Sequence, residues 1–154
     1  MIDLPQITQT TAQPFAAIRL TIPRSEIQSV MGPGITEVMA AIKAQSASPT
    51  GPWFTHHFRM DPATFDFEIC VPIAGPIAVT GRVFCGEKPS LRVARLVYQG
   101  PYEGLGAAWG EFGDWIATNK YAAGPDLYEC YLAGPESGPD PTQWRTELNR
   151  PLIG

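Results

Sequence analysis

The chain has 154 residues, 44% of them apolar and only 17% charged, which excludes a disordered chain and supplies one domain's worth of core. The net charge is −4 and the 11 basic residues are scattered, which excludes the clustered Lys/Arg surface that duplex nucleic acid requires. No apolar run reaches the ~20 residues of a membrane helix, no basic and apolar leader opens the chain, and 3 cysteines without a CxxC pair point to the reducing cytoplasm.

In chain order, residues 15–20 (FAAIRL) read as a strand. Pro33 lacks an N–H and is tolerated in a first helical turn, so the first helix is predicted to begin near it, after a separate short turn over residues 25–30. Ile35, Val38, Met39 and Ile42 give that helix one apolar stripe. Gly51-Pro52 introduces a strand over residues 53–58, and another covers residues 67–73. A joint spans residues 74–90, within which 82–86 add a short strand.

The second half repeats this order. Residues 91–96 form a strand with the same Arg-Leu ending as residues 15–20. Leu105, Ala108, Trp109, Phe112, Trp115 and Ile116 carry helical spacing. Gly124-Pro125 introduces a strand over residues 126–131, and residues 146–152 (TELNRPL) match residues 67–73 (FEICVPI), including Pro72 and Pro151. The 15 glycines and 16 prolines thus punctuate two copies of one unit rather than a random turn-rich chain. The expectation is an α+β fold, a single domain over residues 1–154 with pseudo-repeats at about 7–73 and 82–152. Two βαββ units share a mainly antiparallel eight-stranded sheet, with two helices on one face and a cleft between the halves. Gly104, Gly106, Gly110 and Gly113 cluster on the second helix. Either the helix packs closely on the sheet there, or space is left beside it.

Glu129 is the most informative single residue. Strand alternation sets it on one face with Leu127 and Tyr131. Two readings stand: a carboxylate aimed into an apolar interior, where it meets a ligand cation, or a solvated carboxylate on an exposed face. Aligning Gly51 with Gly124 sets His56 opposite Glu129, and Phe54 and Phe58 opposite Leu127 and Tyr131. Phe67, Tyr102, Trp109 and Phe112 are further rings available to a cleft, where aromatic faces attract cations. His56 and His57 are adjacent, so a strand sends them to opposite faces and they cannot chelate one metal; no metal site and no cofactor are expected. No GxSxG elbow, phosphate loop or dinucleotide fingerprint occurs. Glu68 and Glu147 face away from Phe67 and Thr146 and read as structural or exposed.

The run VYQGPYEGL over residues 97–105, followed by Ala108-Trp109, Trp115-Ile116, Gly124-Pro125, Glu129-Cys130-Tyr131 and TELNRPL, resembles the GyrI-like small-molecule-binding superfamily, the effector-binding domains of AraC- and MerR-type regulators. The resemblance is densest over residues 92–152. It implies a ligand cleft between the halves, with Glu129 facing cationic aromatic ligands and with Trp109 and Tyr131 beside it. Many relatives carry this domain behind a helix-turn-helix region. Here the repeat begins near residue 7, so a stand-alone form is expected.

The leading expectation is therefore a binding module for small amphipathic or cationic aromatic molecules, acting in xenobiotic sensing or sequestration, without direct contact to nucleic acid or membrane. The resemblance also implies two alternatives. One is a hydrolase of cyclopropane-bearing alkylating compounds, with Glu129 in an aromatic cage and His56 assisting proton transfer. The other is a protein-interaction role such as gyrase inhibition.

Overall fold

The computed structural model describes residues 2–59 and 61–153. In chain order the elements are β1 (Gln6–Gln9), β2 (Gln13–Pro23), α1 (Ile27–Ala44), β3 (Phe54–His57), β4 (Thr64–Pro72), β5 (Phe84–Lys88) and β6 (Arg92–Gln99). Then come α2 (Leu105–Thr118), β7 (Leu127–Ala133) and β8 (Arg145–Pro151). Among the described residues, eight antiparallel strands and two α-helices make this the α+β class expected from the sequence. The chain divides into two compact units: Thr11–Ser90, and the N-terminal residues through Thr10 together with those from Leu91 onward.

In the unit Thr11–Ser90 the strand order is β3-β4-β2-β5. In the other unit it is β1-β6-β8-β7. Two strands therefore pair outside their own stretch of sequence. The N-terminal β1 lies along β6, with Gln6 opposite Arg95. The joint strand β5 lies along β2, with Phe15 opposite Gly86. Each copy of the repeat gives up its leading strand to the sheet of the other, an exchange that local pattern cannot reveal.

Helix α1 starts earlier than expected. It runs from Ile27, and Pro33 lies inside it; the preceding turn is a short 3-10 segment at Arg24–Glu26. An interior proline frees the carbonyl four residues back and costs about 3 kcal/mol. The apolar stripe outweighs that cost: Ile27, Val30 and Met31 before the proline, and Ile35 after it, all pack against the core of β2 and β4. The stripe is also rotated from the expected one. Gly34, Val38, Ala41 and Ile42 are buried, whereas Met39 is exposed. Gly34 explains the rotation, because a Cβ there would lie 2.5 Å from the Ile69 Cδ1 and 3.3 Å from that of Ile18. A side chain at this position would require the Ile69 methyl to shift.

On the strand face away from α1, Glu68 is only 8% exposed. Burial pushes its carboxyl above the ordinary range, against the opposing pull of His56 and Arg19. A raised folded-state value favours folding below the unfolded value of 4.5, and that contribution is lost as pH rises through the folded value. Glu68→Gln removes the buried charge. Its melting temperature relative to wild type should rise by on the order of 2 °C between about pH 4 and about pH 7, measured by calorimetry. A constant difference across that range would contradict the assignment.

Candidate functional site

The site builds up from β7, β8 and α2. Gly124 precedes β7; its N–H donates to the Pro151 carbonyl at 2.9 Å, and its own carbonyl accepts from the half-buried Arg150 guanidinium at 2.9 and 3.2 Å. This clamp fixes where β7 begins. Glu129 then lies directly opposite Leu148, which is fully buried in the core formed with Leu96 and Phe112. Residues directly opposite in an antiparallel pair share a face, so Glu129 projects toward α2.

Both carboxylate oxygens of Glu129 are held. The Trp109 indole Nε1–H donates to Oε2 at 2.7 Å, and the Tyr131 hydroxyl donates to Oε1 at 2.7 Å. Each oxygen has two lone-pair directions, so each keeps one for a further donor. Trp109 stacks on Phe112 with centroids 5.8 Å apart and planes at 25°. Phe112 is fully buried and ties the cluster to the core. Tyr102 meets Tyr131 edge-on at 6.0 Å and leans on Trp144 at 5.0 Å. Its hydroxyl is pushed up to about 12, first by burial and then by the carboxylates Glu136 and Glu129. Glu129, Tyr131, Trp109, Phe112 and Tyr102 thus form one connected cluster within one unit: Trp109 and Tyr131 touch the carboxylate, Phe112 backs Trp109, and Tyr102 adjoins Tyr131.

The glycines of α2 are of two kinds. Beyond the adjoining residues and the helix's own backbone, nothing lies within 4 Å of a Cβ built at Gly106, Gly110 or Gly113. Close packing therefore does not account for these three, and the open space at Gly106 and Gly110 is solvent. Gly104 differs, since a Cβ there would overlap the Tyr98 hydroxyl.

The remaining expected residues belong to the unit Thr11–Ser90. His56 lies opposite Glu68, its Nδ1 3.9 Å from that carboxylate and its ring 4.4 Å from Phe58. The Arg19 guanidinium covers the Phe58 ring at 4.3 Å. Phe54 is buried, edge-on to Phe15 at 5.8 Å, and Phe67 is fully buried in the core beneath α1. The equivalence of His56 with Glu129 does not hold. In register, Glu129 faces Leu148 and Thr55 faces Ile69, and both partners lie in the helix-side cores. Thr55 is thus the counterpart of Glu129, and His56 points to the opposite face. The shared Gly-Pro misled by one residue, which reverses every side chain in a strand.

The repeat equivalence is informative once corrected. His57 Nε2 lies 3.2 Å from the Thr55 hydroxyl, an i,i+2 pair like Tyr131 and Glu129. Fully buried Phe67 faces His57, whereas Thr146 faces Tyr131. One copy fills this layer with a ring; the other leaves a threonine. Sequence reasoning missed Trp144 and Glu136, which come from a Gly/Pro-rich loop without periodicity. Among the described residues no group of three His, Cys, Asp or Glu side chains is arranged to hold a metal ion. No described helix is long and apolar enough to cross a membrane.

The GyrI-like small molecule binding domain, as a family, matches residues 4–152. The chain belongs to the GyrI-like family. No curated protein matches it. Among solved structures, this GyrI-like chain is similar to the C-terminal domain of EcmrR, with TM-score 0.87 at 21% identity over 97% of each chain. In the EcmrR–DNA complex the likeness has TM-score 0.86 at 19% identity and spans 97% of this chain but 57% of EcmrR. SAV2435, solved bound to tetraphenylphosphonium, is similar with TM-score 0.70 at 13% identity over 99% of this chain and 95% of its own. At such identities these likenesses establish the shared fold.

Proposed function

We propose that this GyrI-like domain takes up amphipathic aromatic cations, for sensing or sequestration in the cytoplasm, at a site centred on Glu129. The observation that carries the reading is the Glu129 carboxylate, held by Trp109 and Tyr131 at 2.7 Å each, among aromatic rings and with acceptor capacity to spare. A carboxylate fixed by two donors needs little reorganisation to receive a positive charge. The surrounding rings add about 0.5–2 kcal/mol for each good cation–π contact. The tetraphenylphosphonium bound to SAV2435 is an aromatic cation of this class.

The test compares two ligands of similar shape, tetraphenylphosphonium and the uncharged triphenylphosphine oxide, by calorimetric titration and thermal shift. The cation is expected to bind and to raise stability by about 2.7 kcal/mol at a hundredfold excess over its Kd. The neutral compound is expected to bind at least about tenfold more weakly. Equal affinity for the two, or no binding of the cation, would overturn the proposal.

A further inference from the structure

A second carboxylate sits on the Tyr102 side of the Glu129 site, and the fold holds it there. Gly134 directly follows β7, and the next residues turn in a 3-10 segment, Pro135–Ser137, that carries Glu136. The Ser137 N–H closes this turn on the Gly134 carbonyl at 2.8 Å. The ring of Pro135 fixes its backbone at the start of the turn. The Trp144 indole donates to the Gly138 carbonyl at 3.1 Å, just beyond the turn, and Trp144 is the ring on which Tyr102 leans. Glu136 is therefore tied to the aromatic cluster by a continuous set of contacts.

Gly134 is the seat of this arrangement. A Cβ there would lie 2.5 Å from the Tyr102 hydroxyl oxygen and 3.0 and 3.3 Å from the two carboxylate oxygens of Glu136. Both groups pack over the same bare Cα, so they are near neighbours. Glu136 is also the strongest charge acting on the Tyr102 hydroxyl, with Glu129 next. Tyr102 thus neighbours two carboxylates, the partly buried Glu129 and the exposed Glu136.

A separate observation is a buried hydroxyl left without a partner in the layer of Tyr131. Thr146 is fully buried, and its Oγ1 has no hydrogen-bond partner among the described residues. It lies directly across from both Tyr98 and Tyr131. A buried hydroxyl is costly to leave unmatched. The other copy of the repeat shows that a ring fits this layer, because Phe67 occupies it there.

We infer that the preferred ligands are elongated aromatic dications, with one positive centre on Glu129 and the second on Glu136, the body passing Tyr102. This rests on the Glu129 site proposed above and adds a second anchor that selects among cations.

The experiment uses a bis-quinolinium with a decamethylene linker and its single-headed N-alkyl quinolinium counterpart, titrated calorimetrically at fixed salt. Wild type should prefer the double-headed compound beyond the statistical factor of about two that equivalent heads supply. Glu136→Gln should weaken the double-headed compound by about three- to fivefold, the range an exposed charge pair supports. The single-headed compound should be unchanged. Glu136→Lys, also at an exposed position, should deepen the loss for the double-headed compound alone. Glu129→Gln should weaken both. If Glu129→Gln weakens both while the Glu136 variants act on neither or on both alike, the second anchor is overturned and the Glu129 site stands. If Glu129→Gln leaves both compounds unaffected, the underlying site falls with it.

Discussion

Glu129→Gln is expected to weaken tetraphenylphosphonium binding by about 10- to 100-fold, the range for losing a charged partner, while leaving triphenylphosphine oxide unchanged. Glutamine is the informative replacement because it keeps shape and most of the contacts. Its carbonyl can still accept from the Trp109 Nε1–H, and its amide can donate to the Tyr131 hydroxyl oxygen, so the two bonds seen at 2.7 Å have successors. What is lost is the charge. A uniform drop for both compounds would mean that the carboxylate shapes the site without pairing with the ligand's charge. Raising the ionic strength should narrow the gap between wild type and variant for the cation, because the site is only partly buried.

Much of this site is legible in the sequence because it rests on two short periods. Alternation along β7 puts Glu129 and Tyr131 on one face, and the structure joins them by a hydrogen bond. Helical spacing brings Trp109 and Phe112 together on α2, and the rings stack. The readings that fail need information from elsewhere in the chain. Pro33 breaks a helix on local hydrogen-bond counting, but Ile27, Val30 and Met31 are held by a sheet that such counting does not see. The equivalence of His56 with Glu129 rested on a loop motif, whereas pairing with Ile69 and Leu148 sets the register. The exchange of β1 and β5 between the repeats has no local signature, because each strand pairs outside its own repeat. Glu136 and Trp144 come from a loop whose course depends on Gly134 and Pro135 rather than on any hydrophobic pattern.

Phe112→Ala should destabilise the protein by about 3–5 kcal/mol, measured by urea denaturation, the range for truncating a fully buried ring. Phe112 is 0% exposed and stands in the core with Leu96, Ala108, Ile116 and Leu148. Phe112→Leu should recover more than half of the loss, because it restores most of the volume. The binding consequence separates packing from anchoring. Trp109 is stacked on Phe112, so the alanine variant frees the indole that holds Glu129 Oε2. Affinity for tetraphenylphosphonium should fall in Phe112→Ala even at temperatures where the variant is fully folded, and should return in Phe112→Leu only so far as the indole is again supported. A variant that loses stability but binds the cation as wild type does would show that the Trp109–Glu129 bond orders itself without the core beneath it. The aromatic cluster and the core are one packed structure in this unit, so the change that costs the most stability is also expected to loosen the carboxylate.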